Sequence, residues 1–297
     1  MTRQLVFVHG RSQQRKDSIG LKKEWIDAWK EGLAKSGLGL PIAEEAIRFP
    51  YYGDTLDQMA NGLSAEEAAR IVVRGETLDR EEESFMREYL KEVQAKADVS
   101  DDEVSALVEP VTRERGPLNW GWVQGILSVL DRRVPGASGA SVALFTNDVY
   151  QYLHKPAIHN VMNDGVRSAF ARDVETVVVS HSLGTVVAYN VLRQAGADGD
   201  LKVPLFVTLG SPLAVKVVKR AVRPIGHPRC AAHWFNAMDD RDVVSLFPLD
   251  DDNFDVDPDI ENKTDVDNPT SNRHGISGYL GDKEVARRVH DALTKSS

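Results

Sequence analysis

Residues 177–192 read VVVSHSLGTVVAYNVL. A β-branched run, which favours a strand, meets a small polar knot, and an apolar pattern at helical spacing begins at once. Within the knot, Ser180-His181-Ser182-Leu183-Gly184 sets a small residue two places before and two places after a serine. Strand and helix nearly touch at such a turn, so only small residues fit those two places, and the middle residue is forced into a strained backbone conformation. The stretch admits two readings. It is either a purely structural turn, or a turn that presents the Ser182 hydroxyl as a nucleophile.

The rest of the chain predicts an α/β architecture around this turn. Leu5 to Val8 is a continuous apolar run ending at His9-Gly10, as expected of a buried parallel strand. Further strands are expected over Ala43–Phe49, Glu175–Val179, Leu201–Leu209 and Ala231–Met238. Phe254–Glu261 alternates apolar and acidic residues and reads as an edge strand. Helices are expected over Gly20–Ser36, Phe145–Leu153 (capped by Thr146, Asn147 or Asp148), Ala157–Arg172, Leu183–Gln194, Ala214–Val222 and Asp282–Leu293. Strands alternating with helices predict a mostly parallel central sheet with helices on both faces. Between 53 and 144 charges become dense and strands vanish. That stretch is expected to be an inserted helical cap, with 1–52 and 145–297 forming the core. Trp120 and Trp122 in its apolar end either pack against the core or wall a substrate pocket.

A serine hydroxyl is a weak nucleophile until a base takes its proton, and the base needs an orienting acid. At a strand–turn–helix serine the partners should follow in the order acid, then histidine. The segment HWFNAMDDRDVV offers Asp239, Asp240 and Asp242 after a strand. Asp242 is favoured because the apolar pair Val243-Val244 can anchor its loop. Asp239 is the substitute, and a merely solvated acidic loop is the plain alternative. Beyond Asp242 only His274 and His290 remain. His290 falls in the last helix as a surface residue, whereas His274 lies in the loop SNRHGISGYL and is the expected base. An oxyanion needs two donors: the Leu183 N–H at the start of a helix, and the Arg11 N–H in the loop after the first strand. His9 is expected to be structural.

The segments FVHGR, SHSLGT, VTLGSPL, DRDVV and RHGISGY, in this order, resemble the α/β-hydrolase superfamily, and VTLGSPL is similar to its lipase-like members. The resemblance covers roughly residues 4–52 and 145–297 and departs from the usual pattern at Ser180, where a glycine is commoner. It implies a triad of Ser182, Asp242 and His274, with the Arg11 and Leu183 amides as the oxyanion hole. The implied activity is hydrolysis of a carboxylic ester on a small molecule or lipid. A thioesterase, an amidase or peptidase, an acyltransferase, or a non-catalytic scaffold for protein binding are the alternatives.

Composition narrows the partners. The 297 residues carry a net charge of −9, which argues against nucleic acid and anionic lipid surfaces. No apolar run approaches the roughly 20 residues of a membrane span. The short Leu5–Val8 run lacks the features of an export signal, so a cytoplasmic setting is expected. Cys230 is the sole cysteine and forms no intrachain disulfide. The acidic run DDDNFDVDPDIENKTDVD lacks the glycine and glutamate spacing of a calcium loop, and the histidines lack zinc spacing. Neither a metal nor a cofactor is therefore expected. Oligomeric state is not legible from these residues.

Overall fold

The fold is that of a computed structural model, which describes residues 3–10, 18–52, 73, 78–108, 120–133, 138–171, 173–198 and 201–295. The described residues contain a six-stranded sheet: β1 (Gln4–Val8), β2 (Ile47–Arg48), β3 (Thr176–His181), β4 (Phe206–Leu209), β5 (Trp234–Ala237) and β6 (Glu261–Lys263). Spatial order is β2-β1-β3-β4-β5-β6, and each neighbouring pair is parallel. The chain winds outward from β1 to β2 in one direction and from β3 onward in the other. The carboxyl ends of β1 and β3 therefore flank a switch point, where open sheets of this kind form a crevice.

Strand side chains alternate between faces, and the two buried clusters record that alternation. On one face Leu5, Phe7, Val177 and Val179 pack with α1 (Ser18–Ala34). On the other, Val6, Val8, Val178, Phe206 and Trp234 pack under a helical layer. That layer holds α2 (Arg80–Lys96), α3 (Asp101–Ser105), α4 (Trp120–Arg133), α5 (Gly139–His154), α6 (Pro156–Ser168) and α7 (Leu183–Asp198), with the short α8 (Lys216–Ala221) and α9 (Asp251–Phe254). The first face is completed by α10 (Ile276–Leu280) and α11 (Lys283–Thr294). Three described helices of the 53–144 stretch share one buried cluster with the sheet, and the 144/145 boundary falls inside α5.

Several elements differ from their expected spans for local reasons. Ala43–Phe49 contains only the two-residue β2, because Glu44–Ala46 close a 3-10 turn through Ala46 N–H to the Ala43 carbonyl at 3.0 Å. Leu201–Leu209 contributes a single bridge at Val203 and then β4, since Pro204 between them lacks a ladder donor. Ala231–Met238 pairs as a strand only over Trp234–Ala237. Phe254–Glu261 is not a strand. Asp250 accepts from Asn253 N–H at 3.1 Å and starts α9, whose Phe254 is buried, and pairing resumes only at the charged edge strand β6. The N-cap of α5 is Ser138, which accepts from Ser141 N–H at 3.0 Å, whereas Thr146 is internal and bonds the Val142 carbonyl. Among the described residues, no helix is long and apolar enough to cross a membrane.

Candidate active site

β3 runs directly into α7 through Ser182, whose φ of 58° lies in the left-handed region. For a residue with a β-carbon this costs on the order of 1–3 kcal/mol and persists only where the surroundings hold it. Three bonds hold it here. Ser182 N–H donates to the Leu209 carbonyl at 3.0 Å, while the Thr185 N–H and hydroxyl donate to the Ser182 carbonyl at 2.9 and 2.7 Å. The small neighbours are required by contact. A β-carbon on Gly184 would lie 2.4 Å from the Val8 carbonyl oxygen and 2.6 Å from that of His9. Ser180 is fully buried, and its hydroxyl bonds the Val207 carbonyl at 2.8 Å, so serine fits where glycine is commoner.

The structure brings Ser182, His274 and Asp242 into one hydrogen-bonded line. Ser182 Oγ lies 2.8 Å from His274 Nε2, and His274 Nδ1 lies 2.7 Å from Asp242 Oδ2. A carboxylate only accepts, so Nδ1 carries the proton and Nε2 keeps a lone pair for the serine hydroxyl. Asp242 is wholly buried. Its Oδ1 accepts from Val244 N–H at 2.8 Å, and Val243 and Val244 are themselves buried beside it. Its Oδ2 receives a second donor, the Tyr279 hydroxyl, at 2.7 Å. That phenol is fully buried, and burial, with Asp242 beside it, raises its pKa well above the usual range, so it remains a donor.

Asp239 points elsewhere. Its oxygens accept from Arg241 N–H at 2.9 Å, from the Arg241 guanidinium at 3.1 and 3.2 Å, and from Asn268 N–H at 2.9 Å. Burial works to raise its pKa, but these donors outweigh it and hold the carboxyl below the usual range. Asp239 thus ties the Asp242 loop to the His274 loop. Asn268, also buried, continues the tie by donating to the Gly275 carbonyl at 2.9 Å. His290 pairs with Asp291 in α11, away from this line.

Two neighbours of His274 carry roles that sequence reasoning missed. His181 Nε2 lies 2.7 Å from the His274 carbonyl, so that nitrogen bears the proton, and the two rings stand 4.7 Å apart. Burial first, and His274 second, pushes the His181 pKa well below its ordinary value, so His181 stays neutral beside His274. Gly210, in VTLGSPL, has φ of 56°, and a β-carbon there would lie 3.0 Å from His274 Cε1 and 3.1 Å from the Tyr279 ring. The His274 ring therefore rests on the one residue type that leaves it room. Phe145 of α5 meets the His274 ring edge-on at 5.9 Å.

Of the expected oxyanion donors, Leu183 N–H stands at the first position of α7, where the helix itself supplies no acceptor. Gly10 faces it: a β-carbon on Gly10 would lie 3.2 Å from Leu183 N and 3.0 Å from Ser182 Cβ. Arg11 lies outside the described residues. His9 is buried, stacks on Tyr52 at 4.3 Å, and is lowered by burial to about 4. Trp122 is buried in the helical layer, and Trp120 donates its indole N–H to the Val73 carbonyl at 2.9 Å, so both do packing work within that layer. Among the described residues, no group of three or more His, Cys, Asp or Glu could hold a metal ion.

A serine on a strained turn, bonded to an imidazole that is bonded to a dry carboxylate, can lose its proton as it attacks an electrophilic carbon. Comparison with protein-family models, with curated proteins and with solved structures finds no match for this chain.

Proposed function

We propose that the chain is a serine hydrolase of the α/β-hydrolase type that cleaves a carboxylic ester through an acyl-enzyme on Ser182. The observation that carries this reading is the continuous line from Ser182 Oγ through His274 to Asp242, with separations of 2.8 and 2.7 Å. In the reaction, Ser182 Oγ attacks the ester carbonyl while its proton passes to His274 Nε2. Asp242 stays ionised and stabilises the imidazolium. The oxyanion takes the Leu183 N–H, and the reading assigns the second donor to the Arg11 N–H. His274 then gives its proton to the leaving alkoxide. A water molecule, deprotonated by His274, attacks the acyl carbon and frees the acid and Ser182. Every proton moves between His274 and an oxygen, so the cycle closes without a cofactor. We place the protein in the cytoplasm, where the free thiol of Cys230 would stay reduced.

The test is labelling with a fluorophosphonate, which traps activated serines, followed by turnover of p-nitrophenyl esters of graded chain length. The parent chain should label and turn over, and Ser182→Ala should do neither. Failure of the parent to label removes the hydrolase reading. Labelling that survives in Ser182→Ala moves the nucleophile elsewhere. Faster turnover of thioesters or amides, or acyl transfer to added alcohols, would change the substrate class while keeping the nucleophile.

A further inference from the structure

A cavity lies at the opposite edge of the sheet from Ser182. It encloses about 630 Å³, within the range of small-molecule sites, and is formed by residues just before β3, β4 and β5 together with the end of α11. The six residues of β3 separate this edge from Ser182 by roughly 20 Å, at about 3.3 Å per residue.

Its charge runs against that of the chain. Arg3, Lys202, Arg229, Arg288 and Lys295 line it, opposed within the lining by Glu175 and Asp291, on a chain of net charge −9. Some of these cations are committed. Arg3, only 8% exposed, pairs with Glu175 at 2.7 Å, Lys295 with Asp291 at 3.0 Å, and Arg288 with Glu261. Lys202 and Arg229 are exposed and form no ion pair among the described residues. Between the cations the lining is apolar: Leu201, Val203, Leu205, Ala231 and Ala292.

From this we infer that the cavity is a second ligand site, for a small amphiphilic anion. The apolar lining takes the body of the molecule, and the exposed Arg229 and Lys202 take a carboxylate or phosphate head. Guanidinium groups suit either head, because their donors match paired oxygens. Cys230, the chain's sole cysteine, lines the same cavity and reports on it. Burial raises its thiol to about 11, so alkylation is slow enough to follow in mildly alkaline buffer.

The site is tested by titration calorimetry with octanoate, octyl phosphate and uncharged 1-octanol on the parent chain and on Ser182→Ala. Both proteins should bind an anion equally, at least about tenfold more tightly than octanol, the size of one charge-assisted hydrogen bond. Whichever anion binds more tightly names the head group. The double variant Lys202→Glu/Arg229→Glu should lose about tenfold or more in affinity while melting like the parent, since both side chains are exposed. Saturating anion should slow N-ethylmaleimide modification of Cys230. Equal binding of octanol, binding that leaves Cys230 unprotected, or no binding of either anion would each overturn the inference. Loss of binding in Ser182→Ala would also overturn it, by placing the ligand at the ester site.

Discussion

Gly10→Ala separates the chemistry of the crevice from the stability of the turn. Gly10 does not need its backbone freedom, since its φ is not positive, so alanine adds only a methyl group. That methyl would lie 3.0 Å from Ser182 Cβ, 3.2 Å from Leu183 N and 3.3 Å from the His181 carbonyl oxygen. Shifts of a few tenths of an ångström relieve such contacts. Overpacking of this kind costs about 1–3 kcal/mol, offset by the roughly 0.4–1 kcal/mol that alanine removes from unfolded-chain entropy. The net loss of about 0–2.6 kcal/mol lowers Tm by a few degrees. Activity should suffer far more, because the methyl fills the space in front of the Leu183 N–H. Losing one oxyanion donor costs about 10²–10³ in kcat. Gly184→Ala supplies the contrast. Its β-carbon would press on two backbone carbonyls at 2.4 and 2.6 Å, and no side chain can yield there. It should lose stability first, through separation of α7 from β1. The assay is kcat/KM on a p-nitrophenyl ester beside a thermal melt of each variant. A folded Gly10→Ala that keeps more than about half the parent activity would refute the placement of the oxyanion at Leu183. Melts that fall equally in the two variants would refute the distinction between yielding and unyielding contacts.

Other perturbations address the supporting residues. Tyr279→Phe removes one of the two donors on Asp242 Oδ2, and with it a charge-assisted bond of about 1.5–3 kcal/mol. Steady-state kinetics should show kcat reduced about tenfold or more with KM little changed, and an unchanged kcat would reduce the phenol to packing. Asp242→Asn should lower kcat by about 10⁴, through the wrong imidazole tautomer, whereas Asp239→Asn should leave turnover within a few-fold of the parent; the reverse result would exchange the two acids. Asp239→Asn should instead destabilise the fold at neutral pH by about 2–3 kcal/mol, read from denaturant midpoints. The folded-state pKa of Asp239 is depressed, so its contribution is complete above the unfolded value of about 3.9 and fades as pH falls through the folded value. The gap between parent and variant should therefore close in acid, and a gap constant with pH would show that ionisation is not its source.

The sequence carried the parallel sheet and the strand–turn–helix at Ser182 because both rest on local signals: β-branched runs, small residues at fixed spacing, and helical periodicity. It also set Asp242, followed by its valine pair, in the loop that meets His274. Lengths of edge elements were less legible. β2 and β6 have two and three residues, too short for an alternation pattern, and the acids of 250–259 served as a helix cap and solvated turns instead of an alternating strand. Tyr279, His181 and Gly210 were missed for a different reason. Each acts on His274 or Asp242 across a separation that no local pattern encodes, and a tyrosine in an apolar run reads as core until its hydroxyl is seen on a carboxylate. One signal was present for Gly210: a glycine directly after a strand of four buried residues asks what its missing side chain makes room for.

Topology explains why residues so distant can form one line. In a parallel sheet every strand ends on the same edge, so whatever follows a strand arrives at one side of the molecule. Ser182 follows β3, Asp242 follows β5, and His274 follows β6. Ser182 and His274 are 92 residues apart, and Asp242 and His274 are 32 apart, yet each pair comes within 2.8 Å. The same rule delivers the residues that precede strands to the opposite edge. Glu175 precedes β3, Lys202 precedes β4 and Arg229 precedes β5, and there the cations gather around an apolar cavity. In the linear sequence Arg3, Lys202, Arg229 and Arg288 lie far apart and carry no signal. Strand direction alone thus lets a chain with excess negative charge present a carboxylate to His274 at one end and the exposed Lys202 and Arg229 at the other.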